Sequence, residues 1–323
     1  MFKNLLTISM AIMIIILSST ASAETDQAVP KLIRIVVPFG AGASTDMIAR
    51  ATASQLADRL KTNVIVENKP GASTMIGVDT VTRAPKDGSV LLLTTPSTVT
   101  AAATMKNKTF DFNKDLVPIA NLGEGPMVIV ASINSGVKTP QDLVAKAKAK
   151  PDSMTYGTSG IGTLAHMTYE MISDASSIHM MHVPYKGSSY TALDLSSGLI
   201  DLSVGVNSSY AAQIKSGKVR AVAVTSHTPS PAFPDLPAMA SAAPGFSVDI
   251  WAVVFAPAGT DPKMASLLNR ELNEISKSNE LRELMKVDGA APKPSSLEQL
   301  QESMRNSYDQ WKKLAADKKI MIK

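Results

Sequence analysis

The chain of 323 residues contains no cysteine. That excludes disulfides, thiolate metal centres and a lipid anchor on a cysteine after the leader, so stability must come from the buried core. Aromatic side chains make up only 5% of the chain, with two tryptophans, and no basic block is interleaved with them as nucleic-acid surfaces require. No nucleic-acid partner is expected. Charge is nearly balanced, 32 Lys and Arg against 28 Asp and Glu, and the formal excess of +4 falls by one when Lys3 leaves with the leader. The most basic stretch, Lys312 to Lys323, reads as the solvated end of a helix, where cations complement the dipole. Beyond the N-terminus there is no apolar run approaching the ~20 residues of a membrane span.

Enzyme signatures are also missing. Gly157-Thr158-Ser159-Gly160-Ile161 fails the nucleophile-elbow pattern at its last position, and Gly40-Ala41-Gly42-Ala43-Ser44-Thr45 ends in Thr where a dinucleotide fingerprint needs Gly or Ala. No Gly-Lys-Ser/Thr follows a glycine loop. Of the four histidines, His179 and His182 are spaced to point to opposite faces of a strand and have no acidic neighbour, so no metal site is expected. His227 follows a strand and carries no further signal. Catalysis is left without a nucleophile, metal or cofactor.

The N-terminus has Lys3, an uncharged run of 13 residues from Leu5 to Leu17, and the small-residue site Ala21-Ser22-Ala23. This is the pattern of a secretory signal peptide cleaved after Ala23, leaving a chain that starts at Glu24. About 300 residues then remain, more than one typical domain.

Two loops carry the chemistry. Pro38-Phe39-Gly40-Ala41-Gly42-Ala43-Ser44-Thr45-Asp46 lies between a strand pattern, Ile33 to Val37, and a helical pattern, Met47 to Leu60. Small residues allow a close backbone approach, Ser44, Thr45 or Asp46 can cap the helix, and the helix start offers free N–H groups to an anion. Tyr156-Gly157-Thr158-Ser159-Gly160-Ile161-Gly162-Thr163 repeats this before Leu164 to Ile172. Each loop falls in its own βα series, the first running through Val64 to Val66, a helix near Met75 to Thr82, and Val90 to Thr94. The second series begins at Met127 to Ala131, with crossings near Leu122 to Pro126 and Thr225 to Pro229. Ser295 with Glu298 reads as a capping box for a closing amphipathic helix. The expectation is two α/β lobes with mostly parallel sheets and a ligand cleft between them: residues 24–124 and 227–323 in one lobe, 125–226 in the other.

Ile33-Arg34-Ile35-Val36-Val37-Pro38-Phe39, Ser44-Thr45-Asp46, Val66-Glu67-Asn68-Lys69-Pro70-Gly71, Tyr156 to Gly160, His182 to Gly187 and Ala256-Pro257-Ala258-Gly259-Thr260 resemble, in order, the Bug (TctC-like) substrate-binding proteins of tripartite tricarboxylate transporters. The resemblance implies a two-lobed periplasmic binding protein, type II-like, that captures a small carboxylated metabolite and delivers it to a membrane permease. It implies ligand contacts from Phe39, Gly40, Gly42, Ala43, Ser44 and Thr45 in the first lobe. From the second it implies Thr158, Ser159, Gly160 and Thr163, with Thr95 and Ser97 from a further pocket loop. Where the family often has an acid that meets a ligand amine, this chain has Gly205, which favours a dicarboxylate or aromatic acid over an amino acid. A monomer without a cofactor is expected. The alternative is a periplasmic sensor that docks on a membrane signalling protein; a secreted hydrolase is a distant third.

Several residues also have a plain structural reading. Asp46 and Arg50 form an i,i+4 pair that orders the first loop. Lys186 is a solvated turn lysine or a charge that draws acids in. Tyr156 and Tyr185 can offer hydroxyls to the pocket. Ser159 and Thr163 can both cap a helix and touch ligand, and His166 can orient the second loop by a hydrogen bond. Trp251 and Phe255 read as core.

Overall fold

A computed structural model describes residues 29–106, 109–185 and 187–322. Residues 1–23, where a secretory leader is expected, and Lys186 lie outside the described residues. In strand β1 (Leu32–Val37), Ile33, Ile35 and Val37 join one buried cluster and Val36 another. This alternation is what a strand covered on both faces requires. Helix α1 (Ser44–Leu60) follows the first loop, and β2 (Asn63–Asn68) pairs parallel to β1. A 3-10 turn, Ala72–Thr74, leads into α2 (Met75–Thr82), and β3 (Val90–Thr94) pairs parallel on the other side of β1. The first loop therefore leaves β1 where the strand order reverses, the usual ligand position of an open α/β sheet. Helices α3 (Pro96–Thr104) and α4 (Phe112–Asp115) precede β4 (Leu116–Pro126).

The second sheet is built from β5 (Val128–Ser132), α5 (Pro140–Ala149), β6 (Thr155–Thr158), α6 (Leu164–Ser176), β7 (Met181–Pro184), α7 (Ser188–Ser197), β8 (Leu202–Gly205), α8 (Ala211–Lys215) and β9 (Val219–Val224). Its order is β7-β6-β8-β5-β9, so the second loop leaves β6 at the equivalent point. The chain then returns through β10 (Asp249–Pro257) to complete the first sheet, β2-β1-β3-β10-β4, and ends with α9 (Pro262–Ser276), α10 (Asn279–Lys286) and α11 (Leu297–Asp317). Both sheets are mixed. The expected parallel pairings hold β2-β1-β3 and β7-β6-β8, while β10 runs antiparallel to β3 and β4, and β5 antiparallel to β8 and β9.

The structure departs from the sequence reading at several points. Leu122 to Pro126 is part of β4 and not a bare crossing; Pro118, Asn121, Gly123 and Gly125 break its apolar pattern, and its register with β10 shifts at Ala252/Val253 and Val254/Phe255. Gly123 is there for close approach, since a Cβ would lie 2.2 Å from Met285 Sδ. The segment after Thr95 is a helix, although four of the nine α3 residues are Thr or Val. Residues 227–248 were assigned to the first lobe, yet Phe233 and Leu236 pack with Val128 and Val130 of the second sheet, and Ala238 bridges Val224. The return to the first sheet comes only at Asp249. Finally, the capping box of α11 is Ser296 with Gln299, one residue later than read.

Helix α11 buries Leu300, Met304, Tyr308, Trp311 and Leu314 along one stripe. These join a single cluster that contains Val36, Leu92 and Phe255 from the first sheet and Ile129, Tyr156 and Leu202 from the second. The core is thus continuous across both lobes.

Candidate ligand-binding site

A cavity of about 400 Å³ opens between the two loops. Of the residues singled out in the sequence for ligand contact, Phe39, Ser97, Ser159, Thr163 and Gly205 line it, together with residues not singled out there: Ser73, Thr74, Ser209, Tyr210, Ile250 and Ile322. A smaller void of about 50 Å³ adjoins it, sharing Val206 and Ile250, and this second space is where Ser44, Thr45 and Thr95 face. Gly40, Gly42, Ala43, Thr158, Gly160 and Tyr185 line neither.

The first loop is ordered from Asp46, which is buried and accepts from Gly42 N (2.9 Å), Arg50 Nε (3.0 Å) and Asn68 Nδ2 (2.9 Å). Asn68 Nδ2 also reaches Phe39 O at 3.2 Å, so the loop is stitched to the end of β2. Burial pushes the Asp46 carboxyl up, but these hydrogen bonds and the Arg50 charge together outweigh it and hold the group at about 2. Asp46 is at N3 of α1 and not its cap: the N-cap is Ala43, and neither Ser44 nor Thr45 caps it.

The second loop is held more tightly. Thr163 caps α6 by accepting from His166 N, while its own hydroxyl donates to Gly160 O at 2.8 Å. Its single proton is therefore committed inside the loop. Thr158 Oγ1 likewise donates to Gly160 O at 3.0 Å, and His166 Nδ1 accepts from Gly162 N at 3.0 Å. Gly162 sits at φ 74, wedged so that a Cβ would fall 2.6 Å from both Ile322 Cδ1 and Thr104 Oγ1 of the other lobe. Tyr185 donates its hydroxyl to Asp194 (2.7 Å), and burial followed by that carboxylate pushes the phenol up to about 12. Tyr156 donates to Glu170 (2.7 Å). Trp251 and Phe255 are core, tilted against each other at 6.3 Å. His182 is in β7 and His179 precedes it; among the described residues no cluster could hold a metal ion.

Among the described residues no Asp, Glu, Lys, Arg or His lines the cavity. Its polar character comes instead from helix starts and hydroxyls. The N-cap of α2 is Thr74, Ser97 sits in the first turn of α3, and Thr163, Leu164 and Ala165 open α6; all face the space. Each helix start carries roughly half a positive charge and unpaired N–H groups. The hydroxyls of Ser73, Ser97, Ser159 and Ser209 have no partner among the described residues and remain free to donate to an occupant. Phe39, Ile250 and Ile322 add apolar lining. At Gly205 a Cβ would lie 3.1 Å from the Tyr210 ring, whose hydroxyl bonds Ser203 Oγ at 2.7 Å, so this position leaves little room for a side chain. Such a site can bind and orient an anion, and among the described residues it holds no carboxylate, imidazole or amine to transform one.

The residues missed by the sequence reading had little signal. Ala72, Ser73 and Thr74 take positive φ values of 45, 52 and 83, which nothing in Asn68-Lys69-Pro70-Gly71 beyond a turn foretells. Ile322 comes from the far end of the chain and reaches the cavity through a bridge to Met105.

Two mixed α/β lobes enclosing an uncharged, dipole-lined cleft define a solute-binding protein, a receptor and not an enzyme. The chain belongs to the tripartite tricarboxylate transporter family receptors, whose family model matches residues 48–320. It is similar to Protein BugT of Bordetella pertussis, 33% identical over 298 residues that cover 91% of each chain. Among solved structures it resembles the periplasmic binding protein BugD, with 32% identity and a TM-score of 0.75, covering 91% of this chain and 99% of that one. It also resembles R. palustris Rpa4515 with adipate, with 26% identity and a TM-score of 0.76, covering 88% and 96% of the two chains.

Proposed function

We propose that the protein is the periplasmic receptor of a tripartite tricarboxylate-type transporter, secreted by a leader cleaved after Ala23, and that it hands a small carboxylated metabolite to a membrane permease as a monomer. The observation that carries this reading is the cavity of about 400 Å³ whose polar lining, among the described residues, consists of helix N-termini and unpaired serine hydroxyls with no charged side chain. A carboxylate there receives charge-assisted hydrogen bonds, about twice as strong as neutral ones, while the apolar wall of Phe39, Ile250 and Ile322 accepts a carbon chain. The adipate in the similar R. palustris protein is an acid of this kind. With little space for a side chain at Gly205 and no acid in the cavity to meet an amine, a dicarboxylate or aromatic acid fits better than an amino acid.

Calorimetry against mono-, di- and tricarboxylates, aromatic acids and amino acids is the direct test. Binding of a simple acid with no change to it upon recovery is the expected result. Tight binding of amino acids alone would overturn the ligand class. Capture of a membrane signalling protein in place of a permease would favour the sensor alternative.

A further inference from the structure

The second loop rests on two stacked imidazoles that line neither cavity. His166 on α6 and His182 on β7 have ring centroids 3.9 Å apart with planes 11° from parallel, and Tyr156 continues the stack 5.0 Å from His182. Each imidazole grips a different end of the loop. His166 Nδ1 accepts from Gly162 N at 3.0 Å, and His182 Nε2 lies 2.7 Å from Thr158 Oγ1. Since Thr158 Oγ1 donates to Gly160 O, its lone pairs face the His182 ring and Gly160 N, so His182 Nε2 is the donor. The His166 bond, by contrast, needs a bare Nδ1, because a proton there would face the Gly162 N–H.

We propose that His166 and His182 are a positioning pair whose neutral forms hold loop 158–163 in its ligand-lining shape, and that protonating His166 releases the Gly162 end. Ring stacking at this distance disfavours a charge on either partner. The groups that face the pair are Glu170 and Tyr169 on α6, Tyr156 on β6, and Lys318 just past α11, which binds Glu170 (3.6 Å) and also Asp174. Glu170 Oε1 is 3.8 Å from His166 Nε2 but is already occupied by the Tyr156 hydroxyl and countered by Lys318. Neither α3 nor β8 carries a charged side chain toward the stack. Burial lowers both imidazoles to about 4, so the pair stays neutral around neutral pH and takes up protons only in acid. The consequence for ligand affinity rests on the receptor reading above; the consequence for the loop does not.

The test therefore begins without ligand. Nitrogen-15 NMR of the protein follows the imidazoles and the Gly160 and Gly162 amides from about neutral pH down through the imidazole titration. The expected result is a bare Nδ1 on His166 at neutral pH, and Gly162 amide signals that move with that ring's titration while the amide's protection factor, taken against the intrinsic exchange rate at each pH, falls by at least about tenfold. His166→Asn keeps an acceptor near the same point but cannot titrate, so it should retain the neutral-pH amide signals and lose the acid shift. A Gly162 amide that ignores the His166 titration, or an acid shift that survives in His166→Asn, overturns the proposal. With adipate as probe, His166→Ala should raise the Kd about tenfold and His166→Asn by no more than about threefold, as loss of one hydrogen bond implies. Equal affinities in the unaltered protein and His166→Ala would also overturn it. An unaltered protein that binds no acid would sink the receptor reading alone, since the NMR arm still decides the pair.

Discussion

Asp46 shows how one side chain can organise a loop without lining the cavity beside it. Its carboxylate satisfies Gly42 N–H, Arg50 and Asn68 at once, and its titration point of about 2 lies below the ordinary 3.8. A lowered carboxyl contributes stability that is fully present above 3.8 and is lost as pH falls through about 2. Acid unfolding should therefore begin at higher pH in Asp46→Asn, with a loss at neutral pH of roughly 1 to 3 kcal/mol from the mismatched donors. Denaturant melts of both proteins across that window check this, and parallel curves would refute it. The sequence made Asp46 and Arg50 legible as a pair because i,i+4 spacing is a local property; the Asn68 contact, 22 residues away, was not. Ser159 and Thr163 looked equivalent in sequence, yet of the two only the Ser159 hydroxyl has no partner among the described residues. Ser159→Ala should weaken acid binding by roughly 1 to 3 kcal/mol with little change in melting temperature. Thr163→Ala should instead cost roughly 0.5 to 2 kcal/mol of stability as a lost cap. Calorimetry and thermal unfolding of the two variants separate these roles, and a reversed pattern would show that the hydroxyls have been misassigned.

Among the elements, the turn Ala72–Thr74 is the most strained, with three consecutive non-glycine residues in the left-handed region. Such a residue costs roughly 1 to 2 kcal/mol, and the three persist because Thr74 is locked by a bond from Thr98 Oγ1 at 3.0 Å. Ser73→Gly should raise stability by up to about 1 kcal/mol while removing one hydroxyl from the cavity, so the melting temperature rises as acid affinity falls. A fall in melting temperature would mean that the serine side chain stabilises the turn. Helix starts can carry a local signature: Thr139 with Asp142 caps α5, and Asp261 before Pro262 caps α9. The start of α3 and the whole of β4 were not readable in the sequence. The one lacks a side-chain cap bond despite Thr95, and the other is a glycine- and proline-interrupted strand whose shape is imposed by β10.

For the molecule as a whole, α11 matters most. Trp311 lies in the cluster common to both sheets, so Trp311→Ala should cost roughly 3 to 5 kcal/mol, measurable by denaturant unfolding; a loss below about 1 kcal/mol would mean the lobes do not share a core. The lobes also meet where Met127, Thr225 and Val248 bond one another, with Met127 N to Thr225 Oγ1 at 2.8 Å and Val248 N to Thr225 O at 2.9 Å, at the Lys318 ion pairs to Glu170 and Asp174, and where Ser208 N donates to Asp288 Oδ1 at 2.8 Å. Closure about the Met127–Thr225 crossing should appear in solution scattering as compaction when an acid binds, and an unchanged profile at saturation would argue that the loops alone respond. The chain by itself determined its secretory leader pattern, its alternation of strands and helices, its two glycine-bearing loops and its lack of catalytic groups, because each is written in neighbouring residues. Tertiary structure decided that β10 turns both neighbouring pairings antiparallel, that Ser44, Thr45 and Thr95 face a separate void, and that Ser73, Tyr210 and Ile322 complete the site. Those outcomes depend on contacts between segments far apart in the chain, and no local pattern encodes which distant surfaces will meet.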